Sequence, residues 1–320
     1  MSNNSDNLKD QSKSRTQFKG IFILLLTAFI WGTSFVSQSL GMESVDAFTF
    51  MAIRTLLGAT FLLPFILIRD KISAKNMTSS ELLQRKQSNK KTIKNGMILG
   101  IVLCAATNFQ QFAFYYSTAG KIAFITAMYM FFVPIVGLFL RRKIPLVTWI
   151  CIFLGFIGLY FLSFKTGSGF GALNKGDILA FICSLFFCIQ ILLIDKFVVE
   201  CDGIKLSCVQ FYTSGIISLI LMLIFEKPEW TSIKAAALPI LYSGILSCGV
   251  AYTLQIVGQK YCEPTIASLL MCMESVFAVL SAAIVIHEVL TGREIFGCVI
   301  MFFAIVLSQI ADIMRAKKLL

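Results

Sequence analysis

Histidine is almost absent from this 320-residue chain, and His287 is its only example. Most zinc and catalytic-triad chemistry is therefore unavailable, because such sites need several imidazoles or an imidazole beside a nucleophile. The sequence also has no Gly-x-Ser-x-Gly motif and no glycine-rich phosphate loop. These absences argue against a hydrolase built on that motif and against transport driven directly by ATP.

Charged residues are scarce as well, at 14% of the chain, whereas 57% of the residues are hydrophobic and the mean hydropathy is +0.82. A soluble globular protein of this composition would aggregate. The net charge of +11 could suit a nucleic-acid partner. The basic residues, however, lie in short segments beside apolar stretches. We therefore interpret them as topology signals and as contacts for anionic membrane lipids, with no nucleic-acid partner.

Ten apolar stretches run through the chain, and each is about as long as a helix that crosses a 30 Å hydrocarbon core. They cover residues 21–40, 47–68, 96–115, 120–140, 145–164, 176–195, 204–225, 235–257, 264–287 and 291–312. The sequence thus predicts an all-α integral membrane protein with ten transmembrane helices.

The basic residues predict the orientation of these helices. If the N-terminus is inside, 21 of the 28 lysines and arginines lie in cytoplasmic segments and six lie in outside loops. This asymmetry follows the positive-inside rule and places residues 1–19 and 313–320 as cytoplasmic tails of a multi-pass protein in the bacterial cytoplasmic membrane. Residues 1–19 lack the apolar core of a signal peptide. None of the ten cysteines falls in an outside loop, so we expect packing residues rather than disulfides or metal ligands.

Weak internal repeats divide the chain into residues 20–164 and 176–312. Ala28-Phe29-Ile30 recurs 152 residues later, and Gly100-Ile101, Cys104 and Gln111 recur 144 residues later as Gly244-Ile245, Cys248 and Gln255. Each predicted repeat has five helices. Because five is odd, the second repeat must cross the membrane with the opposite orientation. Inverted repeats of this kind are typical of secondary transporters.

Several short runs carry a family resemblance across residues 20–312. They are Ala28–Phe35 with the following Phe50–Arg54 helix, Ala119–Thr126, Pro264–Leu269, Met273–Phe277 and His287-Glu288. Together they resemble EamA-type members of the drug/metabolite transporter superfamily, most closely the Gram-positive ones. The resemblance implies a ten-helix fold, solute export in many relatives and no ATPase, and it leaves the substrate open.

Two positions depart from the pattern of that family. Arg141-Arg142 stand where the first repeat of many relatives has Gly-Glu. Ser275 stands where a proline often follows the glutamate, which removes the usual reason for a helix kink at that place.

Two charged residues inside predicted helices are the main functional candidates, since a charge in the bilayer is expensive. Arg54 lies about eight residues into the second helix, and Glu274 lies near the middle of the ninth. In a polar cavity, Arg54 would handle a carboxylate, and Glu274 would take a proton or a substrate amine. The alternatives are a structural ion pair, or an arginine that extends its side chain to the membrane surface.

Further candidates are aromatic or amide side chains within the spans. Trp31 lies at mid-depth beside Gly32 and would line the cavity or fill a packing gap. Asn108 and Gln111 are three residues apart and share a helix face, and Gln255 is the repeat equivalent of Gln111. The others are Tyr129, Gln190, Gln210 and Tyr252. For each of these side chains, a hydrogen bond between helices is as good an explanation as substrate contact.

The sequence favours a secondary transporter that moves a small metabolite, such as an amino acid, by alternating access around a central cavity, with export as the expected direction. An exporter of organic cations or drugs by proton antiport is the alternative. An intramembrane enzyme, a channel and a scaffold are weaker candidates. We expect a monomer in contact with membrane lipids, with protons as a candidate coupling ion and no cofactor or metal. His287-Glu288 would anchor a helix end at the interface or, less simply, sense pH.

Overall fold

The computed structural model describes residues 2–75, 77–117, 119–163, 174–285 and 289–318, and every regular element in them is helical. The first group of helices is α1 (Ser2–Met42), α2 (Ala47–Ala74), α3 (Ser79–Ala113), α4 (Ala119–Thr126), α5 (Tyr129–Phe139) and α6 (Leu146–Ser163). The second group is α7 (Lys175–Phe197), α8 (Gly203–Phe225), α9 (Trp230–Ala235), α10 (Ala237–Tyr242), a π-helical segment (Ser243–Tyr252), α11 (Thr253–Gln259), α12 (Pro264–Met271), α13 (Met273–Val285) and α14 (Gly292–Lys318).

Nine helical spans among the described residues are long and apolar enough to cross a membrane. They lie at nine of the ten predicted stretches. At the remaining stretch, 145–164, the apolar helix Leu146–Leu162 is shorter than the other spans. The predicted class, a multi-pass all-α membrane protein, is therefore confirmed.

Residues 69–95 carry eight lysines and arginines and form the basic segment of the chain. Helix α3 begins within this segment, 17 residues before its predicted apolar start. Thr78 caps this helix, because its hydroxyl accepts from the Glu81 backbone N–H while the Glu81 carboxylate accepts from the Thr78 N–H at 2.7 Å. This reciprocal capping box satisfies two backbone donors that the helix start leaves free. No glycine or proline interrupts residues 79–95, so the polar turns continue directly into the membrane span.

Two predicted spans are broken near their middle. Helices α4 and α5 are separated at Ala127 and Met128, and α12 and α13 are separated at Cys272. The break positions Met128 and Cys272 are 144 residues apart, the spacing of the sequence repeat. The Cys272 thiol points at the Ala127 carbonyl oxygen, 3.8 Å away, so the two breaks are in contact. Discontinuous helices of this kind often surround the central site of a transporter.

The antiparallel helices α2 and α8 form an extensive contact between the two predicted repeats, and polar contacts fix it at both ends. At one end the Glu226 carboxylate accepts from the backbone N–H groups of Phe48 and Thr49, at 2.8 and 2.7 Å. At the other end Asp70 pairs with Lys205 at 2.6 Å. We call this second end, which carries the basic segment, the basic end of the bundle.

Glycines allow other helices to approach each other closely. A Cβ on Gly58 would lie 2.6 Å from the Cβ of Cys248 and 2.7 Å from the Gly244 oxygen, so α2 lies directly against the π-helical segment. Gly100 gives α3 the same closeness to α8, where a Cβ would lie 2.7 Å from the Gln210 oxygen. Such contacts between small residues are the usual way in which membrane helices pack.

Candidate functional site

A small polar cavity lies at the centre of the bundle, lined by residues of α1 to α5, α7, the π-helical segment, and α11 to α13. It encloses about 30 Å³, room for one or two water molecules. Six of the ten candidate residues from the sequence line it: Trp31, Arg54, Tyr129, Tyr252, Gln255 and Glu274. Residues that are far apart in the sequence therefore share one chamber.

Arg54 is a deeply buried cation, with 2% of its surface exposed. It lies seven residues after the first residue of α2, or about 10 Å along the helix axis. Its Nε and Nη1 atoms have no hydrogen-bond partner among the described residues. The ring of Phe50 lies 5.6 Å from the guanidinium carbon, and this cation–π contact offsets only part of the lost hydration. Arg54 thus presents free donors in a water-poor space.

Glu274 lines the same cavity, and 5% of its surface is exposed. Neither Glu274 nor Arg54 takes part in an ion pair within the described part of the chain, and no salt bridge joins them. The Tyr129 hydroxyl lies beside the Glu274 carboxyl without an aligned hydrogen bond. A structural Arg54–Glu274 ion pair, the alternative explanation from the sequence, is therefore not formed in this structure.

Aromatic rings form one wall of the cavity. Trp31 and Tyr252 have ring centroids 4.6 Å apart, and Phe211 packs against Tyr252 at 5.5 Å from behind. Gly32 explains how Trp31 reaches this position, because a Cβ there would lie 2.6 Å from the Glu274 carbonyl oxygen. The backbones of α1 and α13 therefore touch at this point, which brings Trp31 close to the turn that carries Glu274.

Two of the amide side chains that the sequence proposed for the site form hydrogen bonds with each other. Gln190 and Gln255 exchange two hydrogen bonds, of 3.2 and 3.1 Å, across the α7–α11 contact. Gln111 is fully buried but does not line the cavity, and its amide nitrogen and oxygen have no partner among the described residues. Gln210 is also buried and unpartnered there, on the face of α8 that packs against α3.

Asn108 lies elsewhere, in a larger groove of about 660 Å³ between α3, α7 and α8. Its amide nitrogen donates to the Cys104 carbonyl oxygen at 2.8 Å and to the Ser218 hydroxyl at 3.0 Å. Residues three apart on a helix point about 60° away from each other, which is enough to separate Asn108 from Gln111. The groove wall is mostly hydrocarbon, with exposed residues such as Ile101, so it offers little to a charged metabolite.

The sequence reasoning missed four polar residues that line the cavity, namely Gln38, Gln110, Thr126 and Ser247. The spacing of the repeat could have identified Gln38, which precedes Gln190 by 152 residues. His287 and Glu288 lie outside the described residues. No group of three or more histidine, cysteine, aspartate or glutamate residues that could hold a metal ion occurs in the described part.

A polar chamber enclosed by broken membrane helices is the architecture of proteins that carry small solutes. The chain belongs to the EamA-like transporter family, whose model matches residues 18–164 and 174–309. It is a membrane transporter of that family, as the sequence resemblance indicated.

Individual relatives agree with this assignment. An uncharacterized transporter of Archaeoglobus fulgidus is 27% identical over 293 residues, which are 90% of this chain and 84% of the relative. An uncharacterized transporter of Clostridium kluyveri is 24% identical over 309 residues, which are 94% of each protein. A solved crystal structure has the same fold, with a TM-score of 0.74 at 15% identity, and the match covers 91% of this chain and 96% of that one.

Proposed function

We propose that this protein is a secondary transporter that exports a small zwitterionic metabolite, such as an amino acid, across the cytoplasmic membrane. The observation that carries the proposal is the buried Arg54, whose free donors face the cavity that Glu274 also lines. A carboxylate of the substrate would pair with Arg54, since a guanidinium and a carboxylate match in geometry and charge. The ammonium group would face Glu274, and the aromatic wall of Trp31 and Tyr252 would contact the side chain.

Transport requires that the cavity change size, because about 30 Å³ is smaller than any amino acid. The structure therefore corresponds to a contracted form, and the two halves must move to admit and release the substrate. The α2–α8 contact, fixed at both ends, would serve as the axis of this movement.

The proposal includes ten membrane helices in two inverted repeats, and paired contacts support the inversion. Gly158 on α6 faces the Gly297 oxygen at 2.9 Å, and Gly297 on α14 faces the Gly158 oxygen at 2.7 Å, both measured from a constructed Cβ. Each contact is the image of the other under a twofold rotation. Likewise α1 packs on α13 while α7 packs on α4 and α5.

The orientation, with the basic end and both termini in the cytoplasm, can be tested by labelling. Lys86 and Lys227 would each be changed to cysteine and exposed to a membrane-impermeant maleimide on intact cells. Nine of the ten native cysteines are buried, so their background labelling is low. We expect labelling at position 227 only. Labelling at position 86 alone would reverse the orientation and the direction of the inverted repeats.

The substrate assignment can be tested with purified protein and proteoliposomes. A thermal-shift screen of amino acids, organic cations and nucleosides identifies a ligand, and uptake into proteoliposomes then measures its transport. We expect an amino acid to raise the melting temperature of the wild type but not that of Arg54→Gln. Glu274→Gln should fold and lose pH-dependent transport, because it removes the carboxylate that would bind either a proton or the ammonium group of the substrate. Normal transport by Glu274→Gln with an unchanged pH profile would exclude this role.

The alternative, an exporter of organic cations by proton antiport, is supported by the same carboxylate in an aromatic cavity. The two proposals differ at Arg54. A cation exporter would bind its ligand as well or better after Arg54→Gln, since the change removes a repelling charge. A carrier of zwitterions would lose binding.

A further inference from the structure

The two predicted repeats contain the same pair of glutamines, but the pair is bonded in only one of them. In the second repeat Gln190 and Gln255 exchange two hydrogen bonds, and their exposed fractions are 0% and 1%. This contact closes α7 onto α11. Both residues lie in the last turns of their spans before the basic end, so the closed pair lies on that side of the cavity.

The equivalent residues of the first repeat are Gln38 and Gln111. They precede Gln190 and Gln255 by 152 and 144 residues, the same spacings that relate Ala28 to Ala180 and Gly100 to Gly244. Gln38 lies four residues before the end of α1, and Gln111 lies two residues before the end of α3. Both helices end opposite the basic end. The second glutamine pair is thus placed on the other side of the cavity.

These two glutamines are buried but not paired with each other. Within the described part of the chain, the Gln111 amide has no partner at either atom, and the Gln38 amide oxygen also has none. The Gln38 nitrogen makes one long bond of 3.4 Å within its own helix. Within the described part of the chain, no extensive packing contact joins α1 to α3.

Unpaired buried amides are unfavourable in a membrane protein, because no water is available to replace the missing partner. The arrangement therefore stores a free energy that an approach of α1 to α3 would release. In alternating access, each repeat would adopt the conformation that the other repeat has now. When α1 approaches α3 in this way, α7 separates from α11. Each glutamine pair then forms only when the other is broken.

We propose that Gln38–Gln111 and Gln190–Gln255 are two alternating latches that close the cavity on opposite sides. The structure holds the latch at the basic end closed and the opposite latch unmade. The proposal rests on the alternating-access function above and adds the side chains that stabilise each of its two forms. When one pair forms as the other breaks, the number of interhelical hydrogen bonds stays nearly constant. The two forms therefore have similar free energies.

Hydrogen–deuterium exchange of the purified full-length protein, without substrate, tests the exchange of latches. Gln190→Leu removes the closed latch and should shift the ratio of the two forms about tenfold, the effect of two interhelical hydrogen bonds of ordinary strength in membranes. Amides at the basic ends of α7 and α11 should then exchange faster. Amides at the opposite ends of α1 and α3 should exchange more slowly, because Gln38 and Gln111 now pair.

Adding Gln111→Leu to the Gln190→Leu variant should reverse the slower exchange in α1 and α3. Gln210→Leu is the matched control, since Gln210 is also buried and unpartnered among the described residues but belongs to neither glutamine pair. Gln210→Leu should leave the ratio of the two forms unchanged. If the leucine variants do not purify as folded protein, Gln190→Asn breaks the pair by shortening one arm and keeps an amide at the position.

Faster exchange at the basic end with no change in α1 and α3 would overturn the proposal, because a merely structural bond would behave in that way. Failure of Gln111→Leu to reverse the effect would overturn it as well. Since no substrate is present, these outcomes are independent of the Arg54-dependent ligand shift, which tests the proposed function separately.

Discussion

Replacing Arg54 by methionine should make the folded protein more stable, although the residue is central to its proposed function. Methionine is apolar and unbranched, and its four side-chain atoms occupy the space of the arginine stem from Cβ to Nε. It removes a cation that is 2% exposed and has two unpartnered nitrogens among the described residues. A protein selected only for stability would not keep such a group, whereas an anion-binding site needs it.

The expected size follows from two opposing terms. An arginine at the centre of a membrane helix costs about 2.5–3.5 kcal/mol on insertion scales. Its cation–π contact with Phe50 returns about 0.5–2 kcal/mol. The difference, roughly 0.5–3 kcal/mol, corresponds to an increase in melting temperature of roughly 1–9 °C at about 2–3 °C per kcal/mol.

The measurement is a thermal melt of purified Arg54→Met beside wild type in the same detergent. Arg85→Met is the matched control, because Arg85 pairs with Asp70 at 2.6 Å and donates to its backbone oxygen at 3.1 Å. The control should melt at or below the wild-type temperature. A decrease of several degrees in Arg54→Met would refute the reasoning, since it would mean that Arg54 stabilises the fold through partners of its own.

Two further variants test how the helices are held together. Gly58→Leu should lower the melting temperature by several degrees or prevent folding, because a side chain there collides with Cys248 on the π-helical segment. Gly292→Leu is the neutral control, since no atom lies within 4 Å of a Cβ built at Gly292. Glu226→Gln should destabilise the protein by about 1–2 kcal/mol, since a neutral amide is a weaker acceptor for the backbone donors at the start of α2. Glu229→Gln, whose side chain caps no helix, should melt like wild type.

The membrane spans could be predicted from the sequence because a helix needs about 20 apolar residues to cross a bilayer, and stretches of that length are visible in the sequence. The helix breaks at Met128 and Cys272 have no comparable signal in the sequence. Neither position is a glycine or a proline, and the expected kink near Ser275 had lost its usual cause. The breaks depend on contacts between distant parts of the chain, such as the Cys272 thiol on the Ala127 carbonyl oxygen.

The cavity could be predicted only in part, for a similar reason. Charged residues inside membrane spans are rare because burying a charge in the bilayer costs free energy, so Arg54 and Glu274 could be identified from the sequence. Amides are cheaper and more common, and their roles depend on which way each helix turns. The sequence grouped Asn108 with Gln111, but a difference of about 60° places Asn108 in the outer groove. The amide bonds of Gln190 with Gln255 required the packing of α7 on α11, which no local pattern encodes.

The contracted cavity has a consequence for any search for ligands or inhibitors. Because it encloses about 30 Å³, a compound can bind only to the fraction of molecules that have already expanded. The measured affinity is then the intrinsic affinity multiplied by that fraction. If expansion is rare, a substitution far from the ligand that favours the expanded form tightens binding without adding a contact. A compound that binds only the expanded form would also increase the population of that form, which the protein rarely adopts without a ligand.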